Sequence, residues 1–174
     1  MSTPEPGPAA DLLLWRAYVP RWSHAPLSGA GAARFGGRWN RVGQPCLYAA
    51  HELSTAWTEY NQGFVQHPAL VARLDVGAVR LADLTRTELQ DELGVSSDIH
   101  RCDWRALLAE GMEPPTHALA ARLQSASWDG VTYPSVMSPG GRCAALWRWN
   151  AAGGPTVAVV DPENRLPRSA QSWS

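Results

Sequence analysis

Apolar and polar positions alternate most cleanly at residues 70–76, "LVARLDV", with Leu70, Ala72, Leu74 and Val76 on one side and Val71, Arg73 and Asp75 on the other. That period belongs to a β-strand with one covered face. "VRLADL" is expected to continue it after a turn at Gly77. Upstream, "LLLWRAYV", bounded by Pro20, reads as a strand, and "CLYAA" at residues 46–50 as a short buried one. Downstream, "WDGVTYPS" predicts an Asp-Gly turn feeding a strand, and "CAALWRWN" and "TVAVV" two more, separated by "AAGGP".

The helical period governs "LSTAWTEYNQGF", where Leu53, Trp57, Tyr60 and Phe64 form one apolar stripe and Ser54 is a candidate N-cap. Glu59 falls off that stripe, among Glu52, Thr55, Ala56, Gln62 and Gly63. A face of polar and small residues ordinarily turns to solvent; otherwise it leaves space for a ligand. Further helices are predicted around "RTELQDEL" and, after Pro114 and Pro115, "THALAARLQ". Residues 20–45 read as one long glycine-rich loop, and long loops inside a domain are usually functional or disordered. Residues 1–11, rich in Pro and Ala, are expected to be a flexible tail before one domain over residues 12–174. The order of elements predicts an α+β fold with a curved, mixed β-sheet core flanked by helices.

Composition narrows the classes. The 174 residues are enough for one core, and a formal net charge of -1 argues against direct nucleic-acid binding. Every basic residue is Arg, which excludes a lysine nucleophile or Schiff base. Cys46, Cys102 and Cys143 lack C-x-x-C spacing and read as buried thiols of a reducing compartment. The start of the chain has no signal-peptide pattern and no apolar run approaches the ~20 residues of a membrane span. A cytoplasmic location is therefore expected. The five histidines lack metal-ligand spacing, so no metal is expected. Nine tryptophans are many for this length; those in "LWRWN" and "SWS" are candidates for a subunit or partner interface, with core packing as the alternative.

The candidate chemistry starts at "RFGGRWN", residues 34–40. Gly36 and Gly37 allow close backbone approach, and Arg34 and Arg38 bring guanidinium forks to the same place, as a holder of an anion would. A plain turn with solvated arginines is the competing reading. Tyr48 in the short strand, Glu59 on the next helix and Ser135 in "YPS" complete a constellation.

With these residues the sequence resembles the RES-domain proteins, toxins of the RES–Xre toxin–antitoxin systems, a family named for its Arg, Glu and Ser. The family's opening pattern is a glycine-rich stretch ending GGRWN, a short strand with a Tyr, and a helix with a Glu eleven residues later. Arg38, Tyr48 and Glu59 match in that spacing, and "WDGVTYPS" with Ser135 matches a later strand ending in Pro-Ser. The resemblance spans about residues 12–160. It departs at "RCAALWRWN", where the family often has an Asn and a strand similar to "NLVLF", and at "AWTEYNQ", where the family is more aliphatic.

The resemblance implies a fold similar to the ADP-ribosyltransferases and a toxin that breaks the nicotinamide–ribose bond of NAD+. NAD+ is then a substrate and no cofactor is needed. Water, inorganic phosphate or a protein would accept the ADP-ribose, and a helix-turn-helix, Xre-like antitoxin would cover the site in an oligomeric complex.

The residue chemistry suits that reaction. Its transition state is an oxocarbenium-like ribose, which a carboxylate such as Glu59 stabilises, and the leaving group already carries positive charge, so no paired general acid is needed. Arg38 would clamp the pyrophosphate beside the amides of Gly36 and Gly37, with Arg34 a secondary phosphate contact. Tyr48 would offer a flat face and a hydroxyl. Ser135 would hydrogen-bond the ribose or the amide, with a turn role as the alternative. It has no triad partners, so it is not read as a nucleophile. Trp39 and Asn40 are expected to shape the loop. Two other readings share these residues: a protein-directed mono-ADP-ribosyltransferase, and a non-catalytic module that binds a dinucleotide or partner. Glu59 argues against the second, because an anion in a bis-phosphate pocket weakens binding unless it faces the cationic end.

Overall fold

The alternating segment becomes the longest strand of a seven-stranded sheet. In chain order the strands are β1 (Ala10–Tyr18), β2 (Leu47–Ala50), β3 (Leu70–Val79), β4 (Leu81–Asp83), β5 (Gly130–Pro134), β6 (Arg142–Leu146) and β7 (Thr156–Val159). The sheet order is β4-β5-β6-β2-β1-β3-β7. Only β4 and β5 run parallel; every other neighbouring pair is antiparallel. Five helices complete the described chain: α1 (Ala30–Phe35), α2 (Leu53–Asn61), α3 (Thr87–Leu93), α4 (Trp104–Ala109) and α5 (Pro115–Ser125). This is the expected α+β class. The computed structural model describes residues 3–62 and 65–173, so Gly63 and Phe64 of the α2 reading lie outside the described residues.

Strand register sorts the side chains into two layers. Ala50, Cys143 and Tyr133 stand side by side on one face, with Tyr48, Ala145 and Val131 in the adjoining row. Over this face pack Leu119, Ala120 and Leu123 of α5 and Leu93 of α3. The opposite face buries Leu14, Leu47, Leu74, Val76, Ala144, Leu146 and Val157, with Leu27 and Trp149 against them. Fully burying one such leucine contributes about 2 kcal/mol, so both layers are substantial. Trp147 packs on the first cluster and Trp149 on the second, each partly buried, so both contribute to the core. The side chain of Trp173 lies outside the description.

Several local expectations are corrected. Residues 20–45 are not all loop: they contain a 3-10 turn at Pro20–Trp22 and helix α1. The segment is fastened by the half-buried guanidinium of Arg16, which donates to the carbonyls of Pro26 (3.0 Å) and Ser28 (3.0 Å). Burial lowers the pKa of Arg16 to about 10. The expected tail of residues 1–11 ends sooner, since β1 begins at Ala10 and Trp128 Nε1 donates to the Pro4 carbonyl (3.0 Å). Gly77 is no turn: it lies within β3, opposite Thr156 of β7. The Asp-Gly pair is no turn either. Asp129 is wholly buried, accepting from the Arg80 N–H (2.9 Å) and from Arg148 Nε (2.9 Å), and this ion pair fixes the entry to β5.

Helix α2 is turned over relative to its sequence reading. Leu53 and Trp57 of the apolar stripe are exposed at 46% and 37%, while Thr55 and Ala56 are buried. Packing against β1 and β2 overrides the stripe, because those strands offer close quarters that only small side chains fit. Its N-cap is Glu52, without a side-chain capping bond, in place of Ser54. Glu52 instead accepts from the Arg142 backbone N–H (3.0 Å) and guanidinium, tying α2 to β6. Burial alone would raise the Glu52 pKa, but these bonds outweigh it and hold the carboxyl below its ordinary value.

Candidate active site

The glycine pair ends α1. Gly36 has φ +70° and ψ 177°, a conformation that residues with a Cβ rarely adopt. Gly37 is required by close approach: a Cβ there would collide with the Tyr48 hydroxyl and lie 2.7 Å from Asn40 Oδ1. The buried His117 of α5 donates from Nε2 to the Gly37 carbonyl (2.8 Å). Asn40, also buried, gives its amide to the carbonyls of Ala32 (2.9 Å) and Gln44 (2.8 Å). Tyr48 pins the loop from below, its hydroxyl accepting from the Trp39 N–H (2.9 Å) and donating to Asn40 Oδ1 (2.8 Å). The single phenolic proton of Tyr48 is thus committed to the protein.

A cleft of about 490 Å³ opens on this face of the sheet. Tyr48, Tyr133 and Cys143 contribute its floor, Ala56, Glu59 and Tyr60 of α2 one wall, and Gly36, Gly37 and Arg38 the glycine-rich rim. Trp104 and Arg105 of α4 and the exposed Val136 and Met137 also line it. The Arg105 guanidinium lies 4.4 Å from the Trp104 ring centroid, a cation–π contact.

Glu59 is held by one oxygen. Ser135 Oγ donates to Glu59 Oε1 at 2.5 Å, while accepting from the N–H groups of Ser138 (2.8 Å) and Met137 (3.2 Å). With those acceptor directions taken by amides, the hydroxyl proton can point only at the carboxylate, a charge-assisted bond. The Cys143 thiol adds a longer contact to Oε1 at 3.6 Å. Burial, reinforced by the Glu59 charge, pushes that thiol well above its usual range, so it stays protonated. Oε2 of Glu59 has no partner among the described residues.

Arg38 donates from one terminal nitrogen to the Cys102 carbonyl (2.8 Å), which leaves its other donors open among the described residues. Arg34 is not brought to the cleft; it is exposed beside Phe35, its guanidinium 5.1 Å from that ring. The cysteines divide: Cys46 is buried and its thiol pushed up to about 12 by burial, whereas Cys102 is only half-buried. Among the described residues no group of three or more His, Cys, Asp or Glu could hold a metal ion, and no helix is long and apolar enough to cross a membrane.

The sequence reading missed Tyr133, Cys143, His117 and the α4 pair. Tyr133 stood in plain view in "YPS", two residues before Ser135, but an alternating strand does not reveal which of its faces lines a cleft.

Fold and site together define a class: an α+β domain on an open mixed sheet, with one serine-held carboxylate in a cleft rimmed by a glycine-arginine loop. The chain belongs to the RES-domain family, whose profile matches residues 13–169. Its fold is similar to that of a chain in the crystal structure of the M. tuberculosis MbcT–MbcA toxin–antitoxin complex, with a TM-score of 0.63 at 19% identity over 89% of this chain and 87% of that one. No curated sequence matches it.

Proposed function

We propose that this protein is the toxin of a toxin–antitoxin pair and that it cleaves the nicotinamide–ribose bond of NAD+. The observation that carries the reading is Glu59, whose Oε1 is fixed by Ser135 while Oε2 has no partner among the described residues, beside a cleft of dinucleotide-compatible size. Membership in the RES-domain family supports it.

In this reading the ribose end of NAD+ lies against Glu59. The C1′–N bond breaks with its electron pair moving onto the nicotinamide nitrogen, which neutralises the pyridinium. The ribose becomes an oxocarbenium ion, and the fixed carboxylate stabilises that charge as it develops. Water or phosphate then adds to C1′, water losing its proton to solvent. Arg38, with donors to spare, binds the pyrophosphate near the glycine amides, and Ser135 positions Glu59. A helix-turn-helix antitoxin covering the cleft would exclude the substrate; that a protein of similar fold occurs in a toxin–antitoxin complex supports a protein partner of this kind.

Controlled expression in bacteria tests this reading. Wild-type protein is expected to deplete cellular NAD+ and stop growth, while Glu59→Gln at equal abundance leaves both unchanged. Growth arrest with an intact NAD+ pool would contradict it.

A further inference from the structure

The cleft floor holds two tyrosines in opposite hydrogen-bonding states. Tyr48 has spent its proton on Asn40 and accepts from the Trp39 N–H. Tyr133, in β5 between β4 and β6, lines the same cleft and has no hydrogen bond to its hydroxyl among the described residues. Its ring is fixed from behind by Trp39, with centroids 5.2 Å apart. On the sheet it stands next to Cys143, whose thiol touches Glu59. The Tyr133 hydroxyl is not among the buried side-chain atoms left without a partner, so it opens to the cleft, where a bound ligand can take the place of water as its acceptor.

We propose that Tyr133 is the substrate-contacting phenol of this site, donating its O–H to an acceptor oxygen at the nicotinamide–ribose end of the bound dinucleotide. This rests on the NAD+ reading above and assigns the donor within that site. Three observations converge on it. Tyr133 neighbours Cys143, which touches Glu59, its ring packs on that of Trp39, and the other tyrosine of the floor has no proton to give. Burial holds the Tyr133 phenol well above its ordinary pKa, so it remains a donor throughout the physiological range. The acceptor is the carboxamide oxygen of nicotinamide or an oxygen of the ribose.

The test uses the full-length protein and two readouts. Calorimetric titration with NAD+ compares Glu59→Gln with Glu59→Gln/Tyr133→Phe, so that turnover does not consume the ligand. Nicotinamide release compares wild type with Tyr133→Phe, and thermal melts show that each variant is folded. Loss of the hydroxyl is expected to weaken NAD+ binding or lower kcat/KM by about tenfold, the usual scale for one hydrogen bond in a water-poor site, with the melting temperature nearly unchanged. A parallel fall in product inhibition by nicotinamide would assign the carboxamide as acceptor; unchanged inhibition would assign the ribose. Equal affinity and equal rate in the Phe variant would overturn the proposal. If wild type binds NAD+ through Tyr133 but releases no nicotinamide, the cleavage reading fails and the contact stands; if no variant binds NAD+, both fail.

Discussion

Gly37 is the residue on which the loop geometry turns. It faces the Tyr48 hydroxyl and the Asn40 side chain so closely that a single methyl group displaces both. Gly37→Ala is therefore expected to destabilise the fold by about 2 kcal/mol in denaturant unfolding, the scale of an overpacked site, and to impair activity with it. A stability equal to wild type would mean that the loop is not pinned as described. Tyr48→Phe removes the bond to Asn40 and leaves buried polar groups unpaired, at a cost of about 1–3 kcal/mol. Tyr48 is thus expected to betray itself first as a structural post, in contrast to Tyr133. The "GGRWN" stretch was legible in the sequence as a close-approach loop because only glycine tolerates such contacts. The direction of Arg34 was not: a side chain one turn earlier on a short helix points wherever α1 happens to dock.

At the scale of elements, α2 is the instructive case. Its period, its extent near Leu53–Asn61 and the position of Glu59 could be read from the sequence, but the face it buries could not. Periodicity says that a helix has two faces, and hydrophobicity normally chooses between them. Here the choice was made by β1 and β2, against which Thr55 and Ala56 pack while Leu53 and Trp57 face outward. Trp57→Ala is accordingly expected to cost less than about 1 kcal/mol, as at other exposed positions. Ala56→Leu should cost about 2 kcal/mol and block the cleft. The reverse order of stabilities in urea titrations would restore the apolar stripe as the buried face. Helix α4 was missed because it is only six residues long and buries none of them, so Trp104, Leu107 and Leu108 form too short a stripe to stand out. The strands were easier, because alternation in β3 survives intact as alternating burial.

Across the whole molecule, two histidines tie stability to pH. Burial holds both His51 and His100 below the ordinary value of 6.5. The unfolded chain therefore takes up protons at a higher pH than the folded one, and the stability present above about pH 6.5 is lost as pH falls through the lowered values. Unfolding midpoints are expected to decline between pH 7 and 5, and less steeply after both histidines are replaced by Gln; an unaltered slope would remove them as the cause. The sheet, the glycine-arginine loop and helix α2 converge on Glu59, the carboxylate proposed to face the ribose. The most direct measurement follows free nicotinamide by NMR as purified protein is incubated with NAD+, with and without phosphate, beside Glu59→Gln. Release by the wild type and a loss of at least about a hundredfold in the variant are expected, the scale of removing one charge-stabilising group, with acceleration by phosphate marking it as the acceptor. Folded wild-type protein that releases no nicotinamide, or a Glu59→Gln variant that releases it as fast, would contradict the account.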